Sequence, residues 1–137
     1  MSTPITISTT VHSPIDTVWK AWILPEHIMN WNFASPDWHC PKATNDFRIG
    51  GAFVATMAAR DGSMSFDFGG TYTSIVEHDK IAYTIGDGRT VEVLFEETPE
   101  GIKIVETFDA EWENPIEMQR AGWQAILDNF KNYTESL

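Results

Sequence analysis

Hydrophobic and polar residues alternate near the start of the chain. One set consists of Ile5, Ile7, Thr9 and Val11, and the other of Thr6, Ser8 and Thr10. A period of two residues is typical of a β-strand with one buried face. The pattern therefore predicts a first strand over residues 5–11.

A helical pattern follows directly. Apolar side chains recur at intervals of three and four residues, which gives a helix one apolar stripe. They are Ile15, Val18, Trp19, Trp22 and Ile23. Ser13 is predicted as the N-cap, Pro14 as the first helical residue and Asp16 as the capping-box acid. Pro25 breaks this helix and starts a second, short one.

Residues 32–46 have no sustained period and contain Pro36 and Pro41. This segment is predicted to be an ordered loop if Phe33 and Trp38 are buried, and a lid if they are exposed. As a lid, residues 32–45 would gate any pocket beneath them.

Turn residues divide the stretch from residue 46 to residue 109 into short alternating runs. Asp61-Gly62 and Asp87-Gly88 are strong local signals for hairpins. The predicted strands are 53–58, 64–77, 80–85, 90–96 and 102–108. Turns at this spacing favour an antiparallel meander. Gly69-Gly70, inside the longest strand, predicts a bulge or a sharp bend, which is how a sheet curls.

The last segment predicts a long helix. Asn114 is predicted as its N-cap, Pro115 as part of its first turn and Glu117 as its capping-box acid. On a helical wheel the polar residues form one narrow strip, and apolar residues fill most of the remainder. The strip consists of Glu117, Arg120, Gln124, Asp128, Lys131 and Glu135. So wide an apolar arc indicates a helix that is buried on most sides, inside a curved sheet.

The predicted order is one strand, two short helices, about six strands and one long helix. A helix segregated on one face of an antiparallel sheet is an α+β architecture. A chain of 137 residues predicts a single domain over residues 1–137. The space left between a curled sheet and a helix is a natural apolar pocket.

Charge and cysteine content narrow the classes of function. Nine basic residues against twenty acidic ones give a net charge of −11. This argues against binding nucleic acid or an anionic membrane, since both need a basic surface. The single Cys40 indicates a reducing compartment, and neither a leader peptide nor a membrane-spanning run is predicted. We therefore expect a cytoplasmic protein with no nucleic-acid partner and no membrane insertion.

Several motifs, in this order, resemble the START-like helix-grip (SRPBCC) superfamily. The closest resemblance is to the branch homologous to the C-terminal domain of the activator of the heat-shock protein 90 ATPase. The segments that carry it are 14–22, Pro25-Glu26 with Trp31, Asp46 to Gly51, Gly70-Thr71-Tyr72, 75–77 with 81–84, and Gly122-Trp123 with 126–130.

The resemblance implies a helix-grip fold, in which a curved antiparallel sheet wraps around the C-terminal helix and encloses a deep cavity. Members of the superfamily bind lipids, sterols, polyketides or plant hormones, and some are cyclases or hydrolases. The co-chaperone of this branch carries a separate chaperone-binding domain, for which these 137 residues have no room. That weighs against chaperone activation.

Aromatic side chains are the first candidates for a ligand site. The chain contains six Trp, eight Phe and three Tyr, and such rings can stack on a planar or apolar ligand. The alternative is an ordinary core, which we favour for Trp19 and Trp22 on the helical stripe. Both roles remain open for Trp31, Phe33, Trp38 and Trp123.

Two charged side chains are further candidates. Glu106 shares a strand face with Ile104 and Phe108, and a buried acid there would need a partner or have a raised pKa. It would then orient a ligand or act as a general acid or base. Alternatively this face is exposed, or Arg48 neutralises the acid. Arg48 could equally hold a ligand carboxylate or pair with a neighbouring acid.

The pair His39-Cys40 gives little support to a nucleophile or a metal site. Adjacent side chains of an extended chain point apart, and the four histidines are scattered. We therefore predict no metal, no cofactor and no catalytic residue.

The leading hypothesis is binding of a small hydrophobic molecule, with weak catalysis or none. The ligand would be lipid-like, polyketide-like or aromatic, and would lie between the sheet and the last helix. The alternatives are a polyketide cyclase-like or hydrolase-like enzyme and a chaperone-related interaction module. The predicted ligand-binding residues are Trp31, Phe33, Trp38, His39, Arg48, Phe53, Tyr72, Glu106, Phe108, Trp123 and Leu127.

Overall fold

A computed structural model describes residues 3–137 as a seven-stranded antiparallel sheet with three helices. The strands are β1 (Pro4–Val11), β2 (Trp38–Asn45), β3 (Ala52–Ala59), β4 (Ser65–Val76), β5 (Lys80–Ile85), β6 (Thr90–Thr98) and β7 (Gly101–Asp109). The helices are α1 (Ile15–Ile23), α2 (Pro25–Ile28) and α3 (Ile116–Glu135). The predicted α+β class is confirmed, with two short helices after the first strand and a long helix at the end.

The strand order is β1-β7-β6-β5-β4-β3-β2. The first strand therefore pairs with the last strand of the meander and forms one edge of the sheet. The five strands predicted between residues 53 and 108 are confirmed, and their ends lie within two residues of the predicted ones. In this register Glu106 of β7 stands between Ile7 of β1 and Val93 of β6. The acid is therefore in the interior of the sheet, away from both edges.

Residues 38–45 form an edge strand, and the loop or lid predicted over residues 32–46 is wrong at these positions. β2 pairs with β3, and its register shifts between His39 and Lys42, where Pro41 stands. Proline cannot donate a hydrogen bond to a sheet, so it is accommodated at edges and bulges. The two prolines made the segment look like a loop in the sequence. The strand forms nevertheless, because Pro41 lies at the bulge of β2 and Pro36 lies before the strand begins.

Both long helices begin without a side-chain cap. Pro14 precedes α1 and Pro115 precedes α3, each in an extended conformation and without a capping hydrogen bond. Because the chain is still extended at these prolines, each helix starts one residue later than predicted. The predicted capping roles are wrong for Ser13, Asp16, Asn114 and Glu117.

Helix α3 lies against one side of the sheet and keeps another side in solvent. Its fully buried residues are only Gln119, Leu127, Phe130 and Thr134, and Met118 is 62% exposed. The prediction that this helix is buried on most sides is wrong. The curled sheet covers only one side of α3. The apolar residues of α3 occupy a wider arc of the helix than the sheet covers, so some of them are exposed.

The polar strip of α3 binds the free edge of β1. Arg120 donates to the Thr6 carbonyl (3.2 Å), Gln124 to the Ser8 carbonyl (3.2 Å) and Lys131 to the Thr10 carbonyl (2.6 Å). Four helical residues and two strand residues both advance about 6 Å, so Arg120 and Gln124, one turn apart, meet alternate carbonyls. Lys131 is two turns beyond Gln124, and its long side chain reaches the next alternate carbonyl. The helix thereby covers an edge that could otherwise pair with another chain.

Gly69 and Gly70 lie in uninterrupted pairing with β3, so the predicted bulge is not there. The irregularity of β4 comes later, between Tyr72 and Ser74. The glycines instead permit close approach of neighbouring strands: a Cβ on Gly69 would lie 2.4 Å from the Phe53 carbonyl oxygen. A Cβ on Gly70 would meet the Thr84 oxygen at 2.6 Å and would crowd the rings of Phe53 and Tyr83.

We expect Gly69→Ala to lower the free energy of unfolding by about 2 kcal/mol, because the contact is with backbone that cannot move aside. The matched control is Gly86→Ala, where a Cβ would have nothing within 4 Å and where we expect a change within about 0.5 kcal/mol. Urea unfolding of both variants measures the difference. Equal stability of the two variants would contradict the close-approach account.

Candidate ligand-binding cavity

A cavity of about 190 Å³ lies between the concave face of the sheet and helix α3. Its wall is mostly apolar and aromatic. The lining residues are Trp22, Ile28, Trp31, Asn32, Thr44, Phe53, Val54, Ala55, Met57, Phe66, Phe68, Tyr72, Tyr83, Glu106, Trp123, Ile126 and Leu127. An apolar protein cavity of about 150 Å³ is known to hold benzene. This cavity therefore has room for one substituted aromatic ring.

The sheet side of the cavity is built from rings that hold one another in place. Phe53 lies 5.2 Å from Tyr72 and 4.8 Å from Tyr83, measured between ring centroids. Because Gly70 has no side chain, the Phe53 and Tyr83 rings fit beside it. Phe66 also lines the cavity and is 49% exposed, so the cavity reaches solvent beside it.

The helical side has two aromatic groups. Trp123 of α3 stacks on Phe108 with ring centroids 3.9 Å apart and planes 8° from parallel. Trp22 and Trp31 lie 5.1 Å apart, and the Trp31 indole N–H donates to the Ala21 carbonyl at 2.9 Å. These contacts between protein groups hold the rings in place, which lowers the entropy that binding would cost.

Glu106 is the charged residue of the cavity wall. It is 6% exposed, and no group within residues 3–137 donates a hydrogen bond to its carboxyl. Burial raises the pKa of the Glu106 carboxyl from an ordinary 4.5 to about 8, because the ionised form loses its hydration. The acid is therefore mostly protonated at neutral pH. Of the alternatives left open by the sequence, the buried acid is the one that the structure shows.

Arg48 does not neutralise Glu106. Its guanidinium lies 3.0 Å from the Asp46 carboxylate, and both side chains are mostly exposed. The motif around Arg48 is a tight turn instead, in which a Cβ on Gly51 would collide with the Asp46 carbonyl oxygen. The cavity wall thus has an acid without a cation beside it.

Two tyrosines add neutral hydroxyl groups to the same wall. The Tyr72 hydroxyl donates to the Asn45 side-chain oxygen at 2.7 Å, while Asn45 donates to the Ile23 carbonyl. Burial raises the pKa of both phenols, and for Tyr83 the nearby Glu106 raises it further. Both hydroxyls therefore stay protonated and can donate hydrogen bonds.

Six of the eleven predicted binding residues line the cavity: Trp31, Phe53, Tyr72, Glu106, Trp123 and Leu127. The other five lie outside its lining. Phe108 is behind Trp123, Phe33 packs against the core from the segment before β2, and Arg48 is at the surface. His39 lies on the edge strand, and Trp38 contacts the ring of Phe66 with centroids 5.8 Å apart.

Four of the strand residues that the sequence analysis missed lie at even spacing from predicted ones. Ala55 and Met57 follow Phe53 on β3, and Phe68 and Phe66 precede Tyr72 on β4. Side chains alternate between the two faces of a strand. Counting along each strand in steps of two residues from a predicted residue would therefore have found them. Trp22 packs against Phe130 in the core, as predicted, and it also lines the cavity.

Metal ligation and thiol chemistry have little support in the described residues. Between residues 3 and 137, no three His, Cys, Asp or Glu side chains are grouped so that they could hold a metal ion. Cys40 is buried, burial raises the pKa of its thiol, and the Sγ donates to the Lys42 carbonyl. A protonated, buried thiol is a poor nucleophile.

We expect the unfolding free energy of the wild type to fall between pH 5 and pH 8 when it is compared with that of the Glu106→Gln variant. The unfolded chain ionises this acid near pH 4.5, whereas the folded chain keeps it protonated up to about pH 8. Within that window each pH unit costs the folded state about 1.4 kcal/mol. The unfolding free energy of the wild type minus that of the variant should decrease by on the order of 3 kcal/mol.

Urea unfolding at pH 5 and pH 8 measures this difference. Glu96→Gln, which changes an exposed acid of β6, is the control and should follow the wild type. A wild-type minus Glu106→Gln difference that does not vary with pH would mean that Glu106 titrates as an ordinary carboxyl.

No helix of residues 3–137 is both long enough and apolar enough to cross a membrane. No curated protein is significantly similar to the chain in sequence. Solved structures, in contrast, include close matches. An AHSA1-like protein from Aeromonas hydrophila is 44% identical, with a TM-score of 0.92, over 98% of this chain and 93% of that chain.

Two other solved structures extend the comparison. A protein from Cytophaga hutchinsonii is 56% identical, with a TM-score of 0.82, over 96% of this chain and 92% of its own. A Staphylococcus aureus protein of unknown function is 18% identical, with a TM-score of 0.78, over 99% of this chain and 95% of its own, and shares the fold. Residues 12–135 match the family described as activator of Hsp90 ATPase homolog 1-like protein. The chain is therefore a member of the activator of Hsp90 ATPase homolog 1-like family.

Proposed function

We propose that this protein is a single START-like domain that binds a small, mostly apolar molecule in the cavity between the sheet and α3. The observation that carries the proposal is an aromatic cavity whose wall holds one carboxyl, 6% exposed, that accepts no hydrogen bond from residues 3–137. A filled core of the same residues would be more stable, since voids and unpaired buried polar groups both cost free energy. A ligand would fill the void and satisfy the acid.

The size of the cavity favours a compound with about one ring. Its volume of about 190 Å³ is below the roughly 300–1,000 Å³ of pockets that hold drug-sized ligands. Among the ligand types that the sequence suggested, an aromatic or polyketide-like fragment fits this space better than a sterol or a long acyl chain. The aromatic wall would supply the affinity, and Glu106 with the Tyr83 hydroxyl would orient the polar end of the ligand.

The enzyme alternative is supported by one feature, the presence of two polar groups in one cavity. Glu106 is protonated at neutral pH and close enough to Tyr83 to raise its pKa, and such a pair can transfer protons in a cyclase or hydrolase. This alternative predicts that a bound compound is chemically converted on incubation and that Glu106→Gln abolishes conversion without abolishing binding.

The interaction alternative takes its support from the family description, which names an activator of the Hsp90 ATPase. A chaperone-related module does not need an apolar cavity, so small-molecule binding separates the two. We further propose that the protein acts in the cytoplasm, where a lone buried thiol such as Cys40 stays reduced.

The test is a panel of small aromatic, polyketide-like and acyl compounds, with thermal stability and tryptophan fluorescence as readouts. A ligand at about a hundred times its Kd should add roughly 2.7 kcal/mol to stability, which raises the Tm of such a domain by several degrees. Trp22, Trp31 and Trp123 line the cavity, so binding there should also change the emission.

We expect Ala55→Leu, which extends a side chain into the cavity, to weaken binding at least ten-fold while the protein stays folded. Ala58→Leu is the matched control, because it makes the same change on the opposite face of the same strand. Equal binding by the two variants would place the ligand outside the cavity. Absence of binding by every compound would shift the weight to the interaction module, which pull-down with a chaperone would then test.

A further inference from the structure

We propose that the ligand is a cation, a small aromatic amine whose ammonium group pairs with Glu106 inside the cavity. The inference rests on the proposed function, because it names the chemical class of the molecule that the same cavity would bind. It follows from the charge and the ring content of the wall rather than from its volume.

The charges around Glu106 are one-sided. Among the seventeen lining residues of the described chain, Glu106 is the only one with an ordinarily charged side chain, and none is Lys, Arg or His. The neighbours of Glu106 across the sheet are Ile7 and Val93, and α3 contributes Leu127. The other titratable groups that face the cavity are the neutral phenols of Tyr72 and Tyr83. No internal cation competes with a ligand for the carboxylate.

An anionic ligand fits this wall poorly. A carboxylate or phosphate group in the cavity would find no cation there and would lie near Glu106. Arg48, the cation that the sequence suggested for such a ligand, is at the surface and paired with Asp46. Desolvating an anion without a partner is unfavourable, so the wall discriminates against acids.

The aromatic residues favour a cation in addition to the carboxylate. Trp22, Trp31 and Trp123 line the cavity together with five Phe or Tyr rings. The face of an indole attracts an ammonium group, and this attraction is strongest where water is excluded. The net charge of −11 raises the local concentration of cations and so favours their encounter with the protein.

Pairing requires Glu106 to lose its proton. The carboxyl O–H bond breaks, the proton goes to solvent, and the carboxylate forms an ion pair with the ammonium ion that has entered. Each binding event therefore releases up to one proton. The affinity for the amine should rise as the pH increases toward the Glu106 pKa of about 8. A neutral ligand that accepts a hydrogen bond from the protonated acid would show the opposite trend.

The decisive experiment compares three probes of nearly equal shape: 2-phenylethylamine, 2-phenylethanol and phenylacetate. They are titrated into the intact protein at pH 8 and physiological ionic strength, with tryptophan fluorescence and calorimetry as readouts. We expect the amine to bind at least ten-fold more tightly than the alcohol and phenylacetate to bind most weakly. Glu106→Gln should remove the preference for the amine over the alcohol.

Glu96→Gln is the matched control, since it removes the same charge from the exposed face of β6 and should leave the preference for the amine intact. Proton release is a second measurement that needs no variant. Calorimetry of the wild type in two buffers of different ionisation enthalpy should show protons leaving when the amine binds, and none leaving when the alcohol binds.

The outcomes separate this inference from the proposed function. If the alcohol binds as tightly as the amine, or if amine binding releases no proton, the cation inference is overturned while the cavity remains a binding site. If the three probes and the whole compound panel fail to bind, the proposed function fails as well. A preference for the amine that Glu96→Gln removes and Glu106→Gln does not would assign the binding to the surface and overturn the inference.

Discussion

Attachment of α3 to the free edge of β1 is the constraint on which the interior depends. Arg120, Gln124 and Lys131 donate hydrogen bonds to three alternate carbonyl groups of β1. This contact fixes the rotation of the helix about its own axis. With the polar strip on the strand edge, Trp123 and Leu127 face the concave side of the sheet and form one wall of the cavity.

The opposite wall depends on how closely the central strands approach one another. Gly69 and Gly70 allow β3, β4 and β5 to come together at distances that a Cβ would prevent. The rings of Phe53 and Tyr83 occupy the room that Gly70 leaves, and they line the cavity on the same sheet as Glu106. The curl of the sheet and the anchored helix together leave a void that the side chains do not fill. The unpaired acid lies in that void, which links the architecture to its chemistry.

A buried, unpaired carboxyl is costly, and here it stands in the middle of the sheet. A Leu or Met at position 106 would continue the apolar face formed by Ile102, Ile104 and Phe108 without this cost. Membership of the family does not explain the acid, because a fold hosts many functions and function belongs to the site. The chemistry of Glu106 and its aromatic surroundings therefore says more about a ligand than the fold does.

Local periodicity in the sequence was enough to place most of the elements. Strand and helix periods depend only on neighbouring residues, so the alternation around Ile5 and Ile104 and the stripe of α1 located their elements correctly. It could not reveal β2, because a proline such as Pro41 normally interrupts a strand. In the fold β2 is an edge strand that pairs only with β3, and such a strand accommodates a proline. It could not show that the polar strip of α3 meets β1, since the donors and the carbonyls are more than a hundred residues apart. Whether Glu106 was exposed, paired with Arg48 or buried alone was decided by tertiary structure, because the desolvation that raises its pKa comes from residues distant in the chain.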